Sequence, residues 1–524
     1  MVHRRIGQRR LWTGVALCGV VLAGAAGAAA PPTAATTPHS PTAIPKPALT
    51  PIPPPLAVVH VRKEVSSLTS AQIDAYRKGV ALMKTRAFND PTSWIYQANM
   101  HGFPTSSAIC PVVGTPQPAW STCQHGSFFF LAWHRMYLYY FERILRASVQ
   151  KATNNPTLEF NLPFWNYEDP NLRTLPKPFR DPANTATNSL YVQQRTSNCN
   201  GGQACISAAD ASDTVALGLG PFCSGPGGTA GAGCTSGISS DESFGGGFTA
   251  APTHSGSGPG ELELQPHGVV HNAVGGNTGW MSFFTCAARD PIFWLHHANI
   301  DRLWQKWLNQ AGRKNPIANG EWTKQTFTFF DENKKPVTMT ACQILNTATQ
   351  LNYRYDGVPV NNVVLCSPTI TASPQIESVT PLKVIASSPA AETRLRDAPV
   401  SVDITLSPQP EAAAPGPAKK TRLAVEGVKV INPGGVYQVY LNLPEGKKAD
   451  PAGPYFLGNI SIFGDPEHMG EVTRSFDITA KAKALRQKGG KVHLTFVREQ
   501  LGTGVHIEAA QDLLSFKRVS IVEH

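Results

Sequence analysis

Seven of the 15 histidines in this 524-residue chain fall where their spacing points to a shared task. Two lie in Cys123-Gln-His125-Gly-Ser-Phe-Phe-Phe-Leu-Ala-Trp-His134-Arg, with His101 some two dozen residues earlier. Two more lie in Pro266-His267-Gly-Val-Val-His271, and the last two in Asp290-Pro-Ile-Phe-Trp-Leu-His296-His297-Ala-Asn-Ile-Asp301. On a helix, side chains four apart stack on one face, so His267 and His271 can share a metal ion. Taken alone, such a pair is as often two packed or capping imidazoles. His134 falls in an aromatic stripe, where an unsatisfied polar ring costs free energy and a metal is one of few good partners. Of the adjacent His296 and His297, only one ring can face a given site, which leaves the other to support it from behind. Two sets of neutral imidazoles with no obligatory thiolate or carboxylate suit copper, zinc, iron or nickel, although zinc alone more often recruits Cys or carboxylate. Three imidazoles per ion in an apolar pocket leave positions open for a diatomic molecule such as O2.

Helices are the natural carriers of this set. Glu64 to Lys84 reads as one, and Phe128 to Lys151 as a second, with aromatic and apolar residues set against Arg135, Glu142, Arg143 and Arg146. Residues 198 to 260 form a long Gly/Ser/Cys insertion with little periodicity, a type of loop that is either functional or disordered. Residues 367 to 420, rich in Pro, Ala, Ser and Thr, read as a linker. Short β-like runs follow at Thr421 to Ile431, Val436 to Leu443, Tyr455 to Phe463, Val492 to Val497 and Phe516 to Val522, with turn residues such as Asn432-Pro433-Gly434-Gly435 between them. The expected organisation is an export signal (1–30), a Pro-rich leader (31–59), a catalytic domain (60–366), a linker (367–420) and a C-terminal β-rich domain (421–524).

With 41% hydrophobic and 16% charged residues, and 10 Trp, 12 Tyr and 23 Phe, the chain is not wholly disordered. The net charge of +10 falls to nearer +6 once the four arginines of residues 1 to 30 are set aside. No Lys/Arg run lies outside that segment and no nucleic-acid motif is evident, so the charge reads as solubility and no nucleic-acid partner is expected. Arginines in residues 1 to 10, the apolar run Leu11 to Ala26 and the small residues ending at Ala30 have the layout of a cleaved export signal. The Arg9-Arg10 pair points to the twin-arginine route, an ordinary secretory signal being the alternative. A periplasmic or extracellular protein with no membrane anchor is therefore expected. Of ten cysteines, Cys18 belongs to the signal, and the odd number left asks for one with a separate fate. Cys199 with Cys205, and Cys223 with Cys234, are close enough in sequence for local disulfides.

The motifs Trp133-His134-Arg135-Met-Tyr-Leu-Tyr-Tyr-Phe-Glu142-Arg143, Leu162-Pro-Phe-Trp-Asn166-Tyr and Asp290 to Trp304 together resemble the copper motifs of the tyrosinase, catechol oxidase and hemocyanin (type-3 copper) superfamily, in the plant and bacterial polyphenol oxidase style. The resemblance covers residues 60 to 360 and implies a mainly α fold: a four-helix-bundle di-copper core with long loops, followed by a small C-terminal β-sandwich. It makes His101, His125 and His134 ligands of one copper and His267, His271 and His297 ligands of the other. His297 is preferred to His296 because its four-residue step to Asp301 matches the family pattern. His296, Phe293 and Asp301 then support the ligands.

Further positions follow from the same resemblance. Cys123 and His125 form a Cys-x-His pattern that a thioether joins in some members, a disulfide of Cys123 with a residue such as Cys110 being the alternative. Glu263 resembles the water-holding glutamate, a catalytic proton acceptor, with neighbouring Glu261 the alternative. Phe284 matches the gate over the second copper. Gly268 stands where many monophenol-hydroxylating members carry Asn, which favours oxidation of o-diphenols to o-quinones. Tyr353-Arg-Tyr355 looks like the tyrosine motif that ends the plant-type catalytic domain, and Tyr455-Phe-Leu-Gly458 lies in a segment similar to the shielding domain of latent enzymes. The expected function is thus a latent copper oxidase that takes a phenolic substrate and O2, with a copper chaperone and an activating protease as partners. The alternatives are a tyrosinase with full monophenolase activity, an o-aminophenol oxidase, and a hemocyanin-like oxygen carrier.

Overall fold

The computed structural model describes residues 59–105, 109–226, 231–361, 363–366, 383–407, 420–464, 466, 469–499 and 511–523. The expected export signal, and the leader apart from Val59, lie outside these residues. All of these residues fall within one compact unit.

Five helices position the site: α1 (Ser70–Lys84), α2 (Trp94–His101), α3 (Phe130–Thr153), α4 (Val269–Gly275) and α5 (Pro291–Leu308). Their starts follow from local chemistry. Thr69 and Gln72 satisfy each other's backbone N–H groups ahead of α1, and Ser93 Oγ accepts from Tyr96 N at 3.0 Å ahead of α2. Asp290 caps α5 through Ile292 N at 3.0 Å, with Pro291 in the first turn. The same carboxylate is gripped by both arms of Arg195, at 2.7 and 2.6 Å, a buried charge fully paired. Helices α2, α3, α4 and α5 carry His101, His134, His271 and the His296-His297 pair, so the four-helix core is as expected.

A buried brace fixes α5 against α3. Asp301 accepts from Arg135 Nε at 2.6 Å, Tyr353 OH at 2.5 Å and Tyr355 OH at 2.7 Å, and its carboxylate is held below the usual range by Arg135 and Arg62 despite burial. The two tyrosines lie on the strand Tyr353–Tyr355, which pairs in parallel with His60–Arg62 and so ties the two ends of the helical part together.

The C-terminal part has sheets of six and four strands among the described residues. Each expected β run is present, with Val472–Asp477 and a helix, Thr479–Lys488, in addition. The linker expectation needs correction. Lys383–Ser387, Thr393–Leu395 and Val400–Leu406 lie inside 367–420, yet pair with Arg518–Glu523, Leu514–Phe516 and Gly490–Arg498. Their Pro/Ser/Ala-rich surroundings hid short strands with one solvated face, such as Val400–Leu406 with Ile404 and Leu406 buried and Ser401, Asp403 and Thr405 exposed. Residues 367–382 and 408–419 of that linker lie outside the described residues.

Two apolar cores result, one helical and one β, and they exchange a side chain each way. Phe463 of the β domain packs in the helical core, and Leu264 of the helical part packs in the β core. Each such burial is worth roughly 1.5–3 kcal/mol. Around these two knobs the interface is polar: Arg474 pairs with Glu261, Arg422 with Glu242, Ser475 N donates to Asp241, and Asn459 donates to Asp210.

Candidate metal centre

The helices and loops converge six of the predicted histidines on one buried point. His101 and His134 project from α2 and α3, while His125 comes from the loop before α3. His271 and His297 project from α4 and α5, and His267 from an irregular turn, Glu263–Gly268, in which Gln265 is extended (φ −142°, ψ 121°). Ring centroids of the first trio lie 4.9 to 5.7 Å apart, and those of the second 4.6 to 5.4 Å apart. His134 and His297 stack across the two trios at 4.6 Å and 18°.

The proton positions suit a metal. Nδ1 of His101, His134, His267 and His271 donates to the carbonyls of Phe284 (3.0 Å), Phe130 (2.8 Å), Glu263 (3.0 Å) and Met281 (2.7 Å). A carbonyl can only accept, so each Nδ1 carries the proton and each Nε2 presents a lone pair. Nε2 of His101, His125, His134 and His267 is buried with no hydrogen-bond partner, while Nε2 of His271 and His297 face each other at 3.2 Å. Burial, reinforced for most by neighbouring imidazoles, holds all six neutral, with His267 pushed down to about 3. Orphaned lone pairs in an apolar pocket are costly without a cation, and all-imidazole donors fit copper.

His296 stands nearer than a purely supporting role implies. It stacks on His267 at 5.4 Å, lies within metal-sharing reach of His267, His271 and His297, and is oriented by Tyr167 OH at 3.1 Å from its Nδ1. Phe293 packs on His297 at 4.1 Å, and Asp301 sits one turn further along α5 in the brace described above.

Cys123 is the free cysteine among the described residues, the other eight forming Cys110–Cys286, Cys199–Cys205, Cys223–Cys234 and Cys342–Cys366. Both local pairs expected from the sequence are present, and a disulfide of Cys123 with Cys110 is excluded. Cys123 Sγ lies 3.5 Å from His125 Nδ1 and 3.3 Å from His254 Nδ1. His254 gave no sequence signal, being a lone histidine in the low-complexity insertion. That insertion folds over the first trio: Gly256 N donates to His125 O and Gly258 N to Gly126 O, both at 3.0 Å. The approach requires glycine at 126, where φ is +63° and a Cβ would strike the Gly256 backbone.

Glu263 is buried, its Oε1 accepts Gly126 N at 2.7 Å, and its Oε2 has no partner. Burial pushes its pKa up to about 8. Glu261, the alternative, is engaged by Arg474. Phe284 lies against His125 (4.6 Å) and His101 (5.1 Å), so it faces the first trio rather than the second that its sequence position implied. Its carbonyl accepts from His101 Nδ1 at 3.0 Å, so backbone and ring both meet that trio. At Gly268 a Cβ would lie 3.3 Å from Glu263 O and 3.4 Å from Phe463 Cβ.

Phe463 was not singled out in the sequence, where it is merely the last apolar residue of a β run. It stacks on His271 at 3.8 Å and 20°, and lies 5.5 to 6.2 Å from His267, Phe284, His125 and His101. Asn272, beside His271, holds its segment by donating to Ser461 Oγ (2.8 Å) and Ile462 O (3.1 Å).

Residues 91–226 and 235–310 match the common central domain of tyrosinase, 317–365 the polyphenol oxidase middle domain, and 377–523 a domain of unknown function. The chain is 33% identical to a tyrosinase of Hahella sp. (strain CCB-MM4), over 78% of this chain and 85% of that one. It is 32% identical to the chloroplastic polyphenol oxidase A1 of Vicia faba, over 58% of this chain and 48% of the relative. The fold is similar to that of latent apple tyrosinase, with a TM-score of 0.60 at 22% identity, covering 91% of this chain and 99% of the other.

Proposed function

The chain belongs to the tyrosinase family, and from that premise we propose that it is a copper oxidase that converts o-diphenols to o-quinones with O2, made in a covered, latent form. The observation that carries this reading is the ring of six buried neutral imidazoles, four of them with the Nε2 lone pair fixed by an Nδ1–H bond to a carbonyl. In this reading His101, His125 and His134, whose rings lie 4.9 to 5.7 Å apart, hold one copper and His267, His271 and His297 the other, with His297 also within reach of His101 and His134. The copper pair, when bound, activates O2 and takes up the two electrons lost by the phenolic ring.

The chain's own groups do the rest. Gly126 N fixes Glu263 Oε1 and leaves Oε2 to take a phenolic proton, and burial makes that carboxylate a stronger base than an exposed one. Phe284 limits how a ring approaches the first trio. Gly268 offers no side chain to help deprotonate a monophenol, which supports a preference for o-diphenols. A Cys123–His125 thioether would fix the one first-trio imidazole whose Nδ1 has no carbonyl partner among the bonds described, and the 3.5 Å separation supports it.

Phe463 supports latency, because a substrate ring stacked on His271 would need the space it fills. Since strands begin at Lys383, a cut between 366 and 383 would sever the whole β domain, whereas one between 407 and 420 would leave three strands behind. An exported setting, with an activating protease and a copper chaperone as partners, completes the proposal, and the four disulfides support an oxidising compartment. Among the described residues no helix is long and apolar enough to cross a membrane. Copper content and O2 uptake on catechol and on tyrosine, before and after cleavage between 366 and 383, test the proposal. Two coppers per chain without turnover in either form would favour an oxygen carrier.

A further inference from the structure

We infer that Arg474 of the β domain is a positioning residue for the metal centre, holding through Glu261 the segment that carries Glu263 and His267. The inference rests on the proposed role of His267 as a ligand, and it gives the β domain a second task beside covering the site.

The segment needs an outside brace. Between Gly260 and Val269 the chain is not a regular helix: Gln265 is extended in the middle of it, which breaks the usual i to i−4 backbone ladder, and Glu263 and His267 are linked through the His267 side chain, Nδ1 to Glu263 O at 3.0 Å. Contacts from elsewhere hold the segment as a whole. Arg474 grips both carboxylate oxygens of Glu261, with Nη2 at 3.0 Å from Oε1 and Nη1 on Oε2, and both residues are buried. Burial pushes the Glu261 carboxyl up even beside this guanidinium, so the pair is strongly desolvated, and removing one partner strands the other. Arg474 is itself fixed. It lies in Val472–Asp477, paired in register with Val425, its Nε donates to Asn459 O at 3.2 Å, and its guanidinium lies over the Phe476 ring at 5.1 Å.

Three residues beyond Glu261, Leu264 is anchored in the β core, and Gln265 Nε2 donates to the carbonyls of Ala209 (2.6 Å) and Asp210 (2.9 Å). Between these anchors Glu263 reaches Gly126, the residue after His125. The β domain therefore sets the height of Glu263 and the entry of His267 and, through Gly126, touches the loop of the first trio. Withdrawing Phe463 alone uncovers the centre, while removing the whole domain uncovers it and also loosens it.

The test compares full-length wild type, Arg474→Met, Arg474→Lys and Arg422→Met. The last breaks an ion pair on the same interface, Arg422 with Glu242 at 3.2 Å, in which Arg422 is held by Glu242 rather than by the 261–267 segment and reaches Glu261 through its charge alone. Hydrogen exchange of the metal-free proteins is read over residues 261–271, and copper content with the Cu(II) paramagnetic resonance signal after reloading with copper and dialysis against a chelator. In Arg474→Met, exchange over 261–271 should rise at least several-fold and retained copper should fall towards one per chain, with a new signal from uncoupled Cu(II). Arg474→Lys should recover part of both, and Arg422→Met, which leaves the Arg474–Glu261 grip in place, should change both far less than Arg474→Met does. Should Arg474→Met not fold, the charge-neutral double variant E261Q/R474M takes its place with the same expectation. Unchanged exchange over 261–271, or an equal rise in Arg422→Met, overturns the inference. A wild type that binds no copper would instead sink the proposed function, while the exchange comparison still decides the role of Arg474.

Discussion

The ring of Phe463 lies flat on the imidazole of His271, centroids 3.8 Å apart, although the two residues belong to different halves of the protein. Under the proposed function this is the place a docked phenol would take against His271. The Phe463 ring also fills apolar space that would otherwise admit water to six desolvated imidazoles.

Phe463→Ala should therefore raise catechol oxidation by the uncut chain. Losing roughly 2 kcal/mol of burial shifts a covered-to-open balance by more than tenfold, and turnover before cleavage should rise by about that factor. Stopped-flow O2 uptake on the uncut variant reads this directly, and wild-type rates would show that the cover lies elsewhere.

Gly268 leaves just enough room for the same segment, since a Cβ there already meets Phe463 Cβ at 3.4 Å. Gly268→Asn adds three heavy atoms beyond that point and should dislodge Phe463. Activity of the uncut chain should rise several-fold and the tyrosine-to-catechol rate ratio should increase. A variant as latent as wild type would mean that the glycine is not there for packing.

Docking of the β domain should weaken as pH rises. Glu499 is pushed up to about 9 by burial and by Asp210, whose own carboxyl is also raised by burial across the same interface. Because the docked state holds a proton that the separated state releases near the ordinary carboxyl value of 4.5, the contribution is full below about 4.5 and is lost as pH climbs towards 9. The rate of limited proteolysis between 366 and 383 should increase from pH 6 to pH 9, and Glu499→Gln should flatten that rise. A pH-independent rate in wild type would count against it.

If Cys123 and His125 are joined, the mature copper-loaded chain should weigh two hydrogen masses less than its thiol form and carry no alkylatable thiol after the disulfides are blocked. Peptide mapping should place the link on His125 rather than on His254, whose Nδ1 is as near to Sγ (3.3 Å against 3.5 Å). A link to His254, or a free thiol in the active protein, would correct the assignment.

Much of the centre was legible because its residues sit in short local patterns. His267 and His271 at one helical turn, and the His296-His297 step to Asp301, carry their geometry in sequence spacing. What was not legible depends on distant chain. Phe463, Arg474 and His254 act through contacts with residues more than a hundred positions away, and nothing next to them in sequence records that. Phe284 lies on the other trio through contacts with His101 and His125, more than 150 positions away. The strands between 383 and 406 were lost to composition: their short alternating faces lie among prolines and serines that read as a linker.

The most direct test of the central claim is copper per chain measured together with O2 uptake on catechol and tyrosine, before and after a cut between residues 366 and 383. The account predicts two coppers in the uncut chain, catechol turnover that rises on cutting, and tyrosine oxidised far more slowly than catechol. Fewer than two coppers in a fully loaded uncut chain, or catechol left unoxidised in both forms, would contradict it.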